Sequence, residues 1–447
     1  MQKLKVFTLF LGDIMALYVS LFLALILRYG PAFYEQFLKS HVEPFTVVFI
    51  PWIIIFYVAG LYDLRTLRNG IDFWKVLATS IALAAVVAIL LFYFIPAFGI
   101  APKTNLFIFI IIFSVIEILW RRAFNAVTES GEAANKIILV GEGHTADAVA
   151  EAIAKNPQFG YAVVERPSEK DITATPGMLD KVVAETHANI LVVPRHLKQD
   201  NSLARALYTL FARGILILDL PNFYERIIRK VPTADLQEAW FIENIEGTAR
   251  FYDPLKRAGE FVLALALGII LLPIEIPIAI IVKLTSRGPI LIRQQRVGER
   301  EKPFMLYKFR SMVALAADGQ AETQGAQWAS QGDKRVTPFG KFLRATHLDE
   351  LPQFINLVRG DISFVGPRPE RPEFVVKLKE QIPYYEVRLL VKPGVTGWAQ
   401  INHRADQDLD DVRQKLQYDI YYLKNRSFIL DWVIVLKTVK SIFINPK

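Results

Sequence analysis

The stretch Leu255–Gly298, "LKRAGEFVLALALGIILLPIEIPIAIIVKLTSRGPILIRQQRVG", decides how the chain is built. Its apolar run, Phe261–Val282, is long enough to cross a hydrocarbon core of about 30 Å as a helix. Pro273 and Pro277 sit near its middle, with Glu275 between them. Proline lacks an amide donor and clashes with the preceding turn, so a bend is expected there. Lys256 and Arg257 precede the run, and Lys283 and Arg287 follow it. Basic flanks at both ends disfavour crossing, because cations collect on one face. The spacing therefore predicts a re-entrant helix over about 258–283 that enters one leaflet, bends and returns. The competing reading is a kinked fifth span, which would put everything after it on the opposite side.

Four apolar segments lie upstream: Val6–Leu27, Phe45–Leu61, Phe73–Ile95 and Leu106–Trp120. They predict a four-helix transmembrane bundle over 1–127. The first has only Lys3 and Lys5 ahead of it and lacks a small-residue cleavage site, so it does not read as a cleaved signal peptide. Lys3 and Lys5, Arg65 and Arg68, and Arg121 and Arg122 fall on one side, which reads as cytoplasmic. Asp13 and Glu117 are expected to reach water near the cytoplasmic ends of their helices, the alternative being an internal polar contact or a substrate path.

Composition agrees with this plan. The 447 residues are 53% hydrophobic, and mean hydropathy is +0.29. Net charge is +8, which fits an anionic partner, and the apolar segments favour lipid and phosphate over nucleic acid. The absence of cysteine excludes disulfides, thiolate catalysis and zinc–thiolate sites. The six histidines show no metal-binding spacing.

Thr128–Asn135 reads as a linker into a Rossmann-like parallel α/β module over 135–245. A strand at Ile137–Val140 runs into Gly141-Glu142-Gly143-His144-Thr145-Ala146, then a helix and a second strand, Tyr161–Glu165. Gly141 and Gly143 would let a helix N-terminus approach a phosphate, and Glu165 stands where a ribose-binding acid belongs. The same glycines also suit a tight turn with no ligand. Within the module no Tyr-x-x-x-Lys pair follows, which argues against hydride transfer. A membrane-tethered NAD(P)-dependent nucleotide-sugar modifying enzyme remains the alternative class.

The last third, 250–447, is basic and loop-rich. "IRQQRVG" and "FMLYKFRSM" alternate like a hairpin that would gather Arg293, Arg296, Lys308 and Arg310. Arg344, Arg368, Lys392 and Arg404 add cations around the acidic pair Asp349-Glu350. A pyrophosphate would balance such a set, as would anionic lipid heads. Asp349 alone reads as a helix N-cap, a position that would keep its carboxylate ionised. The final segment, "SFILDWVIVLKTVKSIFI", has helical apolar spacing and reads as an amphipathic surface helix or a packed core helix.

The motifs "LTSRGPILIRQQRVG", "YKFRSM", "LRATHLDELPQFINLVRGDISFVGPRPE", "VKPGVTGWAQIN" and "YDIYYLKN" cover nearly all of Asp253–Lys447 in order. Here the chain resembles the bacterial sugar transferase family, the monotopic polyprenyl-phosphate phosphoglycosyl transferases. Its larger members initiate exopolysaccharide or O-antigen synthesis. The resemblance implies a mainly α-helical catalytic domain at the cytoplasmic face of the bacterial inner membrane. It implies transfer of a hexose-1-phosphate, with glucose or galactose foremost, from a UDP-sugar to undecaprenyl phosphate with release of UMP. It also implies Asp349 as nucleophile, Glu350 as the partner that holds Mg²⁺ or orders the site, Arg344 on phosphate and Pro273 at the helix break. The apolar spans and the Rossmann-like module offer dimer surfaces, so a homodimer is expected. Leu272 before that proline, the extra Pro277, and His403 after "GWAQIN" depart from the family pattern.

Overall fold

The computed structural model describes residues 2–67, 69–95, 98, 103–130, 135–175, 177–245, 251–285, 287–313, 335–403 and 408–444. Two compact units divide between Phe223 and Tyr224.

In the first unit the four apolar segments form helices Gln2–Tyr29, Val42–Ala59, Ile71–Phe94 and Lys103–Ser130. Rings of Phe45, Phe49, Trp52, Phe109 and Phe113 pack edge-on and stacked between the second and fourth. Asp13 and Glu117 do not reach water. Both are buried against Arg121, whose Nη2 donates to Asp13 Oδ2 and whose Nε donates to Glu117 Oε1 at 2.7 Å. Arg121 Nη1 also donates to Leu61 O at 2.6 Å. A charge in a low-dielectric bundle is tolerable when it is paired, so the internal contact replaces the expected snorkelling. Gly12 makes room for it: a Cβ there would lie 2.1 Å from the Trp120 ring, which itself donates to Asp13 at 3.1 Å.

The module that follows is a parallel sheet ordered β2-β1-β3-β4, with β1 Asn135–Leu139, β2 Tyr161–Glu165, β3 Ile190–Val193 and β4 Leu216–Asp219. The strand order reverses beside β1, so the glycine turn after β1 lies at the switch point of a doubly wound sheet. β3 is buried at all four positions, as a strand covered by helices on both faces should be. Of the presumed linker, Thr128 to Ser130 belong to the preceding helix, and 131–134 lie outside the described residues.

The second unit begins with residues that the sequence places in the module. Val231, Leu236, Trp240 and Phe241 are buried in one core with Tyr385, Trp398, Leu416 and Ile420. The apolar run is one helix, Tyr252–Thr285, and helical structure continues through Pro273 and Pro277. The expected break is therefore not an interruption. A proline ring can bend a helix at one lost hydrogen bond without unwinding its neighbours. Among the described residues this helix, Leu4–Gln36, Val42–Ala59 and Ile71–Phe94 are long and apolar enough to cross a membrane.

Two short sheets complete the unit: the antiparallel hairpin β5 Leu291–Val297 with β6 Pro303–Phe309, and the parallel pair β7 Ser363–Val365 with β8 Gly394–Thr396. At the second pair only glycine fits. A Cβ on Gly394 would stand 2.1 Å from Gly366 N, and one on Gly366 2.3 Å from Lys392 O. The C-terminal helix, Phe428–Ile444, packs into the core through the fully buried Ile434, while Ile429 and Trp432 on it are exposed.

Arg388 ties this unit together. Its Nε donates to Asp419 Oδ2 at 2.9 Å, its Nη1 to the Tyr385 hydroxyl at 2.8 Å, and its Nη2 to Arg368 O at 3.0 Å. Breaking such a buried pair leaves one charge stranded. Arg388→Ala should lower stability by about 3–5 kcal/mol, measured by thermal unfolding of the detergent-purified protein. The double change Arg388→Met with Asp419→Leu should cost less than either single loss.

Candidate active site

Asp349 and Glu350 lie in a 3₁₀ turn, Leu348–Gln353, that leads into helix Phe354–Arg359. His347, with φ of 57°, precedes the turn, so Asp349 is inside it and is not the N-cap. Two contacts fix this segment. Asn356 is fully buried, accepts from Tyr307 N at 3.1 Å and donates to Met305 O at 2.7 Å, which fastens the short helix to β6. Phe354 rests on the long apolar helix at Gly268, where a Cβ would meet its ring at 2.8 Å. The acidic pair is thus positioned directly from the apolar helix.

The two carboxylates have different surroundings. Glu350 Oε1 accepts from Lys308 Nζ at 2.6 Å, and Arg368 Nη2 is 3.9 Å away. Burial alone would raise the Glu350 pKa, but Lys308 and Arg368 outweigh it and hold it at about 2. Asp349 is buried, and among the described residues its carboxylate has no hydrogen-bond partner. Burial and the neighbouring Glu350 charge push its pKa above the ordinary aspartate value, against the pull of Lys308, Arg344 and His347. The sequence argument that a cap keeps this group strongly ionised is corrected: desolvation wins over any helix-end field.

The pleat of the hairpin sorts the cations. Ile292 faces Lys308 and Arg296 faces Phe304, so Lys308 and Arg296 share a face. Arg293 pairs with Tyr307 on the other face, its guanidinium 5.6 Å from the centre of that ring. Arg310 is buried and donates to Pro289 O and to Val282 O, a contact that closes the end of the apolar helix. The hairpin therefore does not bring all four cations to the dyad. Arg296, Lys308, Glu350 and Arg368 do line one concavity, of about 10 Å³. Burial lowers Arg296 to about 10. Arg344 donates from Nε to Ser311 Oγ at 3.0 Å and is close enough to act on the Asp349 charge. Lys392 lines a different cavity, and Arg404 lies outside the described residues. His403 meets Asp411 at 3.0 Å.

Sequence reasoning missed Ser311, Asn356, Arg388 and Asp419. Asp419 sits in the quoted "YDIYYLKN", so its motif was legible although its role was not.

No group of three or more His, Asp or Glu side chains suited to a metal occurs among the described residues. Mg²⁺ needs only one or two carboxylates when substrate phosphates complete its shell. Glu350, with Asp349 beside it, is a donor set of that kind.

The glycine turn of the module is approached by an acid at Gly141 and open at Gly143. Gly141 and Gly143 have φ of 105° and 117°, as a tight turn requires. A Cβ on Gly141 would lie 3.1 Å from Glu169 Oε1, and Glu169 Oε2 pairs with His196 Nε2 at 2.8 Å. An acid at this turn opposes a pyrophosphate there. A Tyr-x-x-x-Lys spacing does occur outside the module, at Tyr252 and Lys256, but this lysine is paired with Asp431 at 2.9 Å.

A family model described as bacterial sugar transferase matches residues 251–445. The UDP-N-acetylgalactosamine-undecaprenyl-phosphate N-acetylgalactosaminephosphotransferase of Aeromonas hydrophila is 38% identical over 247 residues, 55% of this chain and 57% of that protein. The UDP-glucose:undecaprenyl-phosphate glucose-1-phosphate transferase of Escherichia coli (strain K12) is 44% identical over 43% of this chain and 40% of its own length. One of the same name from Caulobacter vibrioides is 38% identical over 42% of this chain and 70% of its own length. The chain thus spans about half the length of the first two relatives. It belongs to the bacterial sugar transferase family.

Lys308 does most among the neighbouring cations to hold Asp349 toward its ionised form. Removing it in Lys308→Met should move the Asp349 titration to higher pH. The ionised fraction would then be lost earlier as pH falls. Carbodiimide labelling of the Asp349 peptide as a function of pH checks this: the labelling midpoint should rise in the variant.

Proposed function

We propose that this chain is a membrane-bound transferase that moves a hexose-1-phosphate from a UDP-sugar to undecaprenyl phosphate. The product would be the first lipid-linked diphosphosugar of an exopolysaccharide or O-antigen. One observation carries the reading: Asp349, buried without a hydrogen-bond partner among the described residues, stands beside a Glu350 already neutralised by Lys308. Both are docked on an apolar helix through Phe354 and Gly268.

Phosphoryl transfer needs charge neutralisation and in-line positioning. Asp349 is the free carboxylate, so it attacks the phosphorus attached to the sugar. The bond from that phosphorus to the UMP oxygen breaks, and UMP leaves with its electron pair. A phosphate oxygen of the lipid then attacks the same phosphorus, and the bond to Asp349 breaks. Arg344, Arg368 and Arg296 would bind phosphate oxygens during both steps, and Lys308 keeps Glu350 in place. Mg²⁺ held through Glu350 and the substrate phosphates would neutralise charge on the pyrophosphate. The raised Asp349 pKa suits a nucleophile freed from strong solvation.

Packing supports a re-entrant arrangement of the apolar helix. Ala264 packs with Leu306, Leu357 and Ile362, while Ile278 and Val282 pack with Phe309 and Leu343. Both halves of the apolar helix, before and after Pro273, thus lie against the polar body of the same unit. A helix crossing the bilayer would have to part from that body. The packing supports a helix that enters the membrane without crossing it, and the basic clusters of the sequence favour the cytoplasmic face.

A screen of UDP-sugars with Mg²⁺ and undecaprenyl phosphate should show UMP release for one sugar or a close pair. Asp349→Asn should abolish it. Full UMP release by Asp349→Asn would overturn the assignment.

A further inference from the structure

The second unit holds another cavity, of about 850 Å³, outside the dyad. Its wall includes Tyr252, Lys256, Arg257, Phe261, Glu299 and Lys392. A pocket of this size is in the range of ligand sites. The β7–β8 pair stands between the two concavities: Ser363 and Val365 line the large one, while Gly394 and Val395 line the one at Glu350.

The cations in this cavity are not equally engaged. Lys256 is used up: Nζ donates to Val365 O at 2.9 Å and to the Tyr422 hydroxyl at 3.0 Å, and pairs with Asp431. Arg426 pairs with Asp253 at 3.2 Å. Arg257 donates to Gly360 O and Arg359 O, both at 3.1 Å, through one N–H on each terminal nitrogen. The other N–H groups of its guanidinium remain available. Lys392 has no hydrogen-bond partner among the described residues. Burial lowers its pKa, and the nearby Arg257 lowers it further. Two cations that line one cavity, neither of them in an ion pair among the described residues, can hold an anion between them. Glu299 and Glu260, from the same cavity, and Asp361 act on Lys392 but form no ion pair with it among the described residues.

The rim identifies the kind of anion. The cavity reaches Phe261 at the start of the apolar run, and Leu255 and Val262 beside it are 64% and 66% exposed. Across Tyr252, the ring of Phe428 packs at 5.0 Å, and its neighbour Ile429 is 77% exposed. A charged cavity that opens onto bare apolar surface suits an anion with a hydrocarbon tail.

We infer that this cavity is a second phosphate site, separate from the dyad, that takes the monoester head group of the polyprenyl phosphate acceptor between Lys392 and Arg257. The inference rests on the transferase reading for the identity of the lipid. The rigid crossing of Gly366 and Gly394 fixes the backbone at Lys392 beside the strand that faces Glu350. The acceptor head would be held there until the sugar phosphate is loaded on Asp349.

Binding is measured directly, so that the site and the reaction can fail separately. The full chain is placed in nanodiscs of zwitterionic lipid, and retention of a short polyprenyl phosphate is read by native mass spectrometry. Lys392→Ala should reduce retention at least about tenfold, the loss of one charge-assisted hydrogen bond, and Lys392→Arg should restore most of it. Glu299→Gln removes a competing acid and should raise retention, a gain that misfolding cannot imitate. Parallel arms offer phosphatidylglycerol, UMP and inorganic phosphate. Equal retention by wild type and Lys392→Ala, or Lys392-dependent retention of one of those three in preference to the polyprenyl phosphate, overturns the inference. Neither result touches UMP release, whereas loss of the transferase reading would show as UMP release by Asp349→Asn with lipid retention intact.

Discussion

The ion pair between Lys308 and Glu350, 2.6 Å long, makes two adjacent carboxylates unequal. Without it both acids would compete for the same cations, and neither would have a defined role. With it, Glu350 is held as an anion with a pKa of about 2, while burial raises that of Asp349. Neighbouring groups whose environments push their pKa values apart take different roles in one reaction. Lys308 can do this because the β5–β6 pleat turns it, with Arg296, to the dyad side and sends Arg293 to the other face. Asn356 keeps the dyad helix in register with β6 by bonding to Tyr307 and Met305.

The second constraint is the fit of Phe354 on Gly268. It sets the dyad against an apolar helix whose other faces are bare, with Ile269, Ile270 and Ile276 exposed. A soluble enzyme would not leave such a surface uncovered. Apolar surface on one side of the dyad and cations on the other suit the meeting of a lipid phosphate with a sugar nucleotide that the proposed reaction needs. Arg388 extends this order outward, since its bond to Arg368 O holds the segment that carries the Arg368 side chain.

Much of this was legible in the sequence, for physical reasons. Apolar length marked the helices, and short buried runs between glycines marked the parallel sheet. The ordered basic motifs marked the neighbourhood of Asp349 and Glu350. What the sequence could not show depends on side-chain direction and on pairs distant in the chain. The two-residue period separates Arg293 from Lys308, but only a known register says which faces the dyad. Arg310 reads as one more cation until its bonds to Val282 O and Pro289 O appear. Asp13 and Glu117 look like residues at helix ends until Arg121 closes on both. Gly141 and Gly143 form the turn their spacing implies, yet Glu169, from a later helix, stands against Gly141. A cap at Asp349 was a fair local reading. The positive φ of His347 starts the turn earlier and puts Asp349 inside it.

The most direct test is to look for the covalent intermediate. The purified chain is incubated with the preferred UDP-sugar and Mg²⁺ without lipid acceptor, quenched, digested and mapped by mass spectrometry. The account predicts a phosphosugar adduct on the peptide containing Asp349, formed with one equivalent of UMP and discharged on adding undecaprenyl phosphate. An adduct on Glu350, or UMP release that needs the acceptor and leaves no adduct, would contradict it.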